Sequence, residues 1–308
     1  MERYEIRLQG AEARGNRISG PLLLDLLSIL TEGSRQALRL RLDGRSKFTG
    51  PAPSWLAPAT RFDVVGIRDG STIVDIEAPS LAEAAPEKFA QRDFFSEMNI
   101  DQSAVTLMEA SLSDALSGKA ESDLYDDDLI ETFEGLSEIV GKGYDTLQMK
   151  GPRPVSVDAA SLRKLVTLRD STPAPRRVRI AGFLEAIRWS DRMFTLKLAD
   201  GSKLRGVALS DAVDRESLRL GFGTKVAISA RAVFRPSGRV LRIEADHMEA
   251  ATGDVGVWSV VPKPMDGKLD RRTLIELQGP KTGINAIWGK WPGDESDEQI
   301  AEWLRNVS

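Results

Sequence analysis

The 308-residue chain contains no cysteine and a single histidine, His247. Without cysteine there are no disulfide bonds, thiolate zinc sites or cysteine nucleophiles. A lone histidine provides no material for a multi-histidine metal site and little for an imidazole-based catalytic triad. Neither a Walker loop nor a dinucleotide-binding fingerprint is present. We therefore expect no metal, no cofactor and no enzymatic activity.

Long apolar runs are also missing. The longest, Pro21–Leu30, is interrupted by Asp25 and Ser28 and falls far short of the ~20 residues that cross a bilayer. The first ten residues, MERYEIRLQG, lack the apolar core of a signal peptide. These features predict a cytoplasmic protein that does not bind membranes.

Charge is nearly balanced overall, with 42 Lys and Arg against 46 Asp and Glu. This balance excludes a uniformly basic coat, although it allows a local basic patch. The distribution is uneven, because residues 176–250 carry 15 bases and 9 acids, whereas residues 121–134 carry seven acids and no base. Such asymmetry predicts different partners for different parts of the chain.

Residues 1–170 are predicted to form a mixed α/β domain, so that the whole chain belongs to the α+β class. YEIRL alternates as a strand does, and Ser19 and Pro21 open a long apolar helix. ALRLRLDG alternates leucine and arginine, which favours a strand. RFDVVGI and STIVDIEA flank Asp69-Gly70, which is typical of a β-hairpin. Further helices are expected at about 80–95, 102–117 and 126–141.

Residues 171–176 form a proline-containing linker, and residues 177–250 have a more specific pattern. Three strands are predicted in RRVRIAGFLEAIRW, MFTLKLAD and KLRGVAL, followed by a helix in SDAVDRESLRL and two strands in TKVAISARAVF and RVLRIEADHM. Gly182 lies in the middle of the first strand, where a barrel strand bends. This order resembles the OB-fold, a small five-stranded β-barrel.

The resemblance to the OB-fold implies that single-stranded nucleic acid binds across the second and third strands, between two loops. Basic and aromatic residues occur at these positions, as this chemistry requires. The candidates are Arg188, Trp189, Arg192, Lys203, Arg205, Phe234, Arg235 and Arg239. The alternative is that Trp189 and Phe234 close the ends of the barrel and the cations form a solvated surface.

Three consecutive carboxylates occur at Asp126–Asp128. Neighbouring residues on a helix point in different directions, so the three rarely converge on one metal ion. Because Leu129 and Ile130 follow directly, the run is better explained as the start of a helix, where the helix dipole favours negative charge.

Residues 251–308 are predicted to be an extended tail with one short amphipathic helix. VWSVVPKP is a candidate strand, and Ser296 followed by Gln299 forms a capping box before the helix. The string WGKWPGDESDEQI is similar to the C-terminal tails of bacterial antitoxins that accompany PIN-domain ribonuclease toxins. That resemblance implies that the tail folds onto the toxin and blocks its acidic, magnesium-dependent site.

The composition of the tail agrees with a docking role, since tryptophan is enriched at binding hot spots. The partner-binding candidates are Trp288, Lys290, Trp291, Pro292, Ile300, Trp303, Leu304 and Arg305. The sequence thus predicts a non-enzymatic antitoxin or regulatory subunit of a bacterial toxin–antitoxin or phage-defence module, with a PIN-type nuclease as partner. Two alternatives stay open: a tail that completes the core of its own chain, and an OB-fold protein that binds single-stranded nucleic acid. Homo-oligomerisation is also left open.

Overall fold

A computed structural model describes most of the chain up to residue 265. The described residues are 1–13, 15–48, 50–68, 72–89, 98–188, 192–209, 223–251 and 256–265. The chain divides into two units, Met1–Pro264 and Met265–Ser308, and the fold below is that of the first. Over the described ranges, no helix combines the length and the apolar character needed to cross a membrane.

The first half of the unit contains a five-stranded antiparallel sheet. Its strands are β1 (Glu2–Gln9), β2 (Asp63–Arg68), β3 (Thr72–Ala78), β4 (Thr146–Lys150) and β5 (Val155–Asp158). Their order in the sheet is β2-β3-β1-β4-β5, so β1 pairs with β3 on one side and β4 on the other. The predicted hairpin is present as the antiparallel β2–β3 pair, and its Asp69-Gly70 turn lies outside the described residues.

Helices share a hydrophobic core with this sheet. They are α1 (Gly20–Asp43), α2 (Leu56–Ala59), α3 (Leu81–Ala84), α4 (Pro86–Phe89), α5 (Ala104–Leu116), α6 (Asp127–Glu134) and α7 (Ala159–Ser171), with a 3-10 turn at Gly135–Glu138 after α6. The Ser19 hydroxyl accepts a hydrogen bond from the Leu22 amide at 3.4 Å, which caps α1 as the sequence predicted.

The strand predicted for ALRLRLDG is wrong, because these residues form the last two turns of α1. No proline interrupts the helix after its first turn, and burial of Leu26, Leu30 and Leu38 along one face favours its continuation. The helix ends at Gly44, whose φ of 72° is the left-handed conformation that glycine adopts without strain.

The second half of the unit is a closed five-stranded barrel. It consists of β6 (Arg176–Arg188), β7 (Met193–Lys197), β8 (Lys203–Ala208), β9 (Lys225–Phe234) and β10 (Val240–Ala250). The order is β10-β8-β7-β6-β9, and the β9–β10 pair closes the barrel. Strands β8 and β10 run parallel, whereas the other pairs are antiparallel. The predicted α+β class with a five-stranded barrel is therefore confirmed.

Two glycines let the barrel strands approach closely. A Cβ atom at Gly182 would lie 2.5 Å from the Lys197 carbonyl oxygen, and one at Gly206 would lie 2.1 Å from the Phe194 ring. Both positions therefore exclude a side chain, as expected where a strand must curve into a small barrel. The helix predicted between the third and fourth strands, SDAVDRESLRL, lies outside the described residues.

The predicted linker 171–176 lies where α7 ends at Ser171 and β6 begins at Arg176. Sheet and barrel nevertheless belong to one compact unit, so the domain bounds 1–170 and 177–250 stay predictions. The candidate strand VWSVVPKP is wrong, because Gly256–Trp258 form a 3-10 turn and residues 259–264 carry no regular structure. Pro262 and Pro264 have no amide hydrogen to donate to a ladder.

Candidate functional site

The predicted nucleic-acid-binding cations of β8 and of the β9–β10 turn are paired with carboxylates of the same chain. Arg235 donates two hydrogen bonds to Asp123 Oδ1, the one from Nε at 3.0 Å. An Arg239 nitrogen lies 3.4 Å from a Glu121 oxygen, and an Arg205 nitrogen lies 3.9 Å from Asp123. We call residues 121–128 the acidic segment and the barrel surface against it the covered face.

The covered face is anchored by Asp126, whose side chain is only 2% exposed. This residue caps α6, as the sequence predicted for the start of the helix, by accepting a hydrogen bond from the Leu129 amide at 3.3 Å. Its carboxylate also accepts hydrogen bonds from the amide and hydroxyl of Ser46, at 3.2 and 2.5 Å. Arg242 of β10 donates to it at 3.0 Å. One carboxylate therefore joins α6, the residues after α1 and the barrel.

The ion-pair network continues into the barrel. The Arg242 side chain, 8% exposed, donates from Nε to Glu244 Oε1 at 2.9 Å, and Arg231 donates two hydrogen bonds to Glu244 Oε2. Burial alone would raise the pKa of Glu244, but the attraction of Arg242 and the hydrogen bonds from both arginines outweigh it and lower the pKa. Glu244 is therefore held as a carboxylate between two cations.

The remaining predicted nucleic-acid-binding residues differ in their surroundings. The Lys203 ammonium pairs with Glu185 at 2.8 Å. Phe234 is buried in the barrel core and is therefore not available to stack on a base. Arg188 lies 3.0 Å from the Met193 sulfur through Nη2, and the Arg192 carbonyl accepts a hydrogen bond from the Ala208 amide. Trp189 lies outside the described residues, as do the eight partner-binding candidates of the tail.

A second charged region, which the sequence analysis missed, lies along β6. A groove of about 370 Å³, which we call the open groove, is lined by Arg176–Ile180, Trp258 and Val260–Lys263. The guanidinium of Arg179 lies over the Trp258 ring, 4.3 Å from its centre. The signal in the sequence was the RRVR run, but its partner Trp258 comes from a segment that sequence reasoning treated as a strand.

One further carboxylate is buried away from the barrel. Glu109 of α5 accepts a hydrogen bond from the Arg153 amide at 3.3 Å through Oε2, whereas its Oε1 has no hydrogen-bond partner. Burial raises the pKa of Glu109 to about 8. No metal-binding set of three or more His, Cys, Asp or Glu side chains occurs in the part of the chain that the structure describes. Among the described residues, Glu109 therefore belongs to no such metal-binding set.

The barrel thus carries two charged regions whose cations have different neighbours within the chain. The covered face holds its cations in ion pairs with the acidic segment, whereas the open groove combines cations with a partly exposed tryptophan. No protein-family model matches the chain, and no curated protein matches it either.

Proposed function

We propose that this chain is a non-enzymatic antitoxin or regulatory subunit of a bacterial toxin–antitoxin or phage-defence module. Its C-terminal residues bind a PIN-type nuclease and hold it inactive. The observation that carries the proposal is the string WGKWPGDESDEQI, which is similar to the C-terminal tails of bacterial antitoxins that accompany PIN-domain ribonuclease toxins.

The chemistry of the tail fits a nuclease. Three tryptophans between residues 288 and 303 provide large apolar anchors, and four acids between residues 294 and 298 face a surface that must be basic to bind RNA. Lys290 and Arg305 supply cations opposite the carboxylates that hold magnesium in such nucleases. The tail therefore offers both signs of charge to a site that contains both.

The covered face supports the regulatory proposal over direct use of that face by nucleic acid. Arg205, Arg235 and Arg239 would have to bind phosphates, but all three are close to Glu121 or Asp123. The carboxylates reduce the positive potential that attracts nucleic acid.

The test is co-expression with the product of the adjacent gene, followed by purification and calorimetry. We expect a stable complex with a nuclease, and weakening by about 30-fold or more in Trp291→Ala/Trp303→Ala, because central tryptophans contribute strongly to binding. Trp258→Ala is the matched control, since it removes a tryptophan from the first unit and should leave the affinity unchanged. An unchanged affinity in the double variant would contradict the docking role of the tail.

A second candidate function is binding of single-stranded nucleic acid by the barrel. The observation that favours it is the strand order β10-β8-β7-β6-β9, which is compatible with an OB-fold. The pairs on the covered face include exposed ones, with Arg239 76% and Arg205 68% exposed. Exposed ion pairs contribute about 1 kcal/mol or less, so phosphates compete with them effectively.

Fluorescence anisotropy with a labelled single-stranded oligonucleotide tests this candidate. We expect affinity to fall steeply with salt and to decrease in Arg205→Ala/Arg239→Ala, with Arg61→Ala, just before β2, as the matched control. Equal affinities in all three proteins would contradict a role for the covered face.

A further inference from the structure

The open groove lies on a part of the barrel different from the covered face. It is built on β6, which is separated from β8 by β7 on one side and by β9 and β10 on the other. We propose that the open groove binds a short segment of single-stranded nucleic acid, with phosphates at its cations and one base stacked on Trp258. The inference shares its ligand class with the second candidate function, but it uses none of the residues of the covered face.

The cations of the open groove are less neutralised than those of the covered face. Arg177 and Lys263 are exposed, and within the described ranges neither has a carboxylate partner at ion-pair distance. Arg177 lies directly opposite Arg231 in the β6–β9 pairing, and Arg231 is itself paired with Glu244. Two cations without a carboxylate partner, Arg177 on one wall and Lys263 on the other, favour an anionic ligand, and repeated phosphates meet this need along an extended chain.

The aromatic component is Trp258, which is 37% exposed. Arg179 covers one face of its ring and is itself held by Glu249 at 2.8 Å. A ring fixed in this way is a stacking platform for an unpaired base, as in other proteins that bind single strands without sequence preference. An acidic peptide would use the cations but not the ring, so the combination favours nucleic acid.

The wall that carries Trp258 is fixed to the barrel before any ligand arrives. The Ser259 hydroxyl accepts a hydrogen bond from the Ala199 amide at 2.8 Å, and Arg176 donates to the Lys263 carbonyl at 2.8 Å. The side chain of Val261 packs against the barrel core. The groove, at about 370 Å³, is therefore preformed and lies at the lower end of the ~300–1,000 Å³ typical of ligand sites.

The experiment measures anisotropy of a labelled oligo-uridylate and a labelled oligo-thymidylate of about 12 nucleotides, using the full chain at several salt concentrations. We expect Trp258→Ala to weaken binding by about fivefold or more, and Trp258→Phe to restore most of it. Arg177→Ala/Lys263→Ala should lower the slope of log affinity against log salt by about 1.4, because each lost phosphate contact removes ~0.7. Arg61→Ala is the control, and the urea midpoint of each variant checks that it is folded.

Three results would overturn the proposal. The first is the absence of binding by the wild-type chain. The second is wild-type affinity in both Trp258→Ala and Arg177→Ala/Lys263→Ala. If binding then disappears in Arg205→Ala/Arg239→Ala, the covered face is the site and the second candidate function survives without this inference. The third is that inorganic polyphosphate competes for the groove as effectively as an unlabelled oligonucleotide, while Trp258→Ala binds with unchanged affinity. The open groove would then be a site for polyanions in general.

Discussion

The covered face and the open groove belong to the same barrel and are both rich in arginine, yet they differ in what surrounds them. On the covered face, Asp123 and Glu121 approach the arginines of β8 and of the β9–β10 turn. In the open groove, Arg177 and Lys263 have no such neighbour among the described residues, and the Trp258 ring lies against the guanidinium of Arg179 of β6. The number of cations in the barrel therefore does not locate a binding surface. Acids that are distant in the sequence lie beside some of these cations and reduce their positive potential, whereas other cations have no such neighbour.

The covered face itself has two parts of different strength. Asp126 and Arg242 are 2% and 8% exposed, so breaking their contact leaves a buried charge without a partner. Arg239 and Glu121 are 76% and 54% exposed, so water and salt replace their contact at little cost. The acidic segment is thus anchored at one end and displaceable at the other.

The largest expected effect comes from the anchor. Arg242→Ala leaves Asp126 and Glu244 buried without their shared cation, and we expect unfolding by urea to show a loss of about 3–5 kcal/mol. Arg177→Ala in the open groove is the matched control and should change the stability by less than about 0.5 kcal/mol. Similar losses of stability in the two variants would show that the covered face and the open groove do not differ in their contribution to stability.

A smaller effect is expected from Glu244→Gln, which removes one of the two carboxylates around Arg242 and should cost about 1–3 kcal/mol at neutral pH. Because the pKa of Glu244 is lower in the folded than in the unfolded chain, its contribution is present above the ordinary glutamate pKa of about 4.3 and is lost as the pH falls through the lowered value. Stability measured from neutral to acidic pH should therefore decline less steeply in Glu244→Gln. Glu249→Gln, with a half-exposed side chain, should follow the wild-type profile.

The next prediction concerns the affinity of the covered face for nucleic acid once its neighbouring carboxylates are removed. Glu121→Gln/Asp123→Asn removes the carboxylates beside Arg205, Arg235 and Arg239, so we expect tighter binding of a single-stranded oligonucleotide. The salt slope should grow by ~0.7 for each arginine that gains a phosphate. Glu77→Gln, which removes a carboxylate from β3, is the control. An affinity equal to that of the wild type would mean that these arginines do not bind phosphate even when released.

The smallest effect is expected at the displaceable end. Arg239→Ala breaks only an exposed pair, and its free energy of unfolding should change by less than about 1 kcal/mol in urea denaturation. A loss as large as that of Arg242→Ala would contradict the division of the covered face into an anchor and a displaceable part.

Sequence patterns predicted the barrel better than the region before it. Strand alternation and Gly182 placed β6 to β10 within a few residues of their observed bounds. The alternation of leucine and arginine in ALRLRLDG led to a wrong strand prediction. The packing of α1 against the core outweighs the two-residue period of this segment. Strands β4 and β5 and helix α7 were not predicted at all.

The charged regions were predictable only in part. The start of α6 at Asp126–Asp128 followed from helix-dipole physics, and the structure confirms it. The contact of Asp126 with Arg242 was not predictable, because 116 residues separate the two and leave no local pattern. The same holds for the open groove, whose two walls come from residues 176–180 and 258–263.

The position of Asp126 has a consequence for how the molecule opens. Its carboxylate holds the amide hydrogens of Ser46 and Leu129 and the guanidinium of Arg242 at the same time. Separation of the barrel would remove the cation that balances this buried charge, and the first turn of α6 would lose its cap. Hydrogen exchange at the Leu129 amide would then report the docking of a barrel to which Leu129 does not itself belong. The stability of the helix start and the attachment of the barrel are, in this sense, one cooperative property.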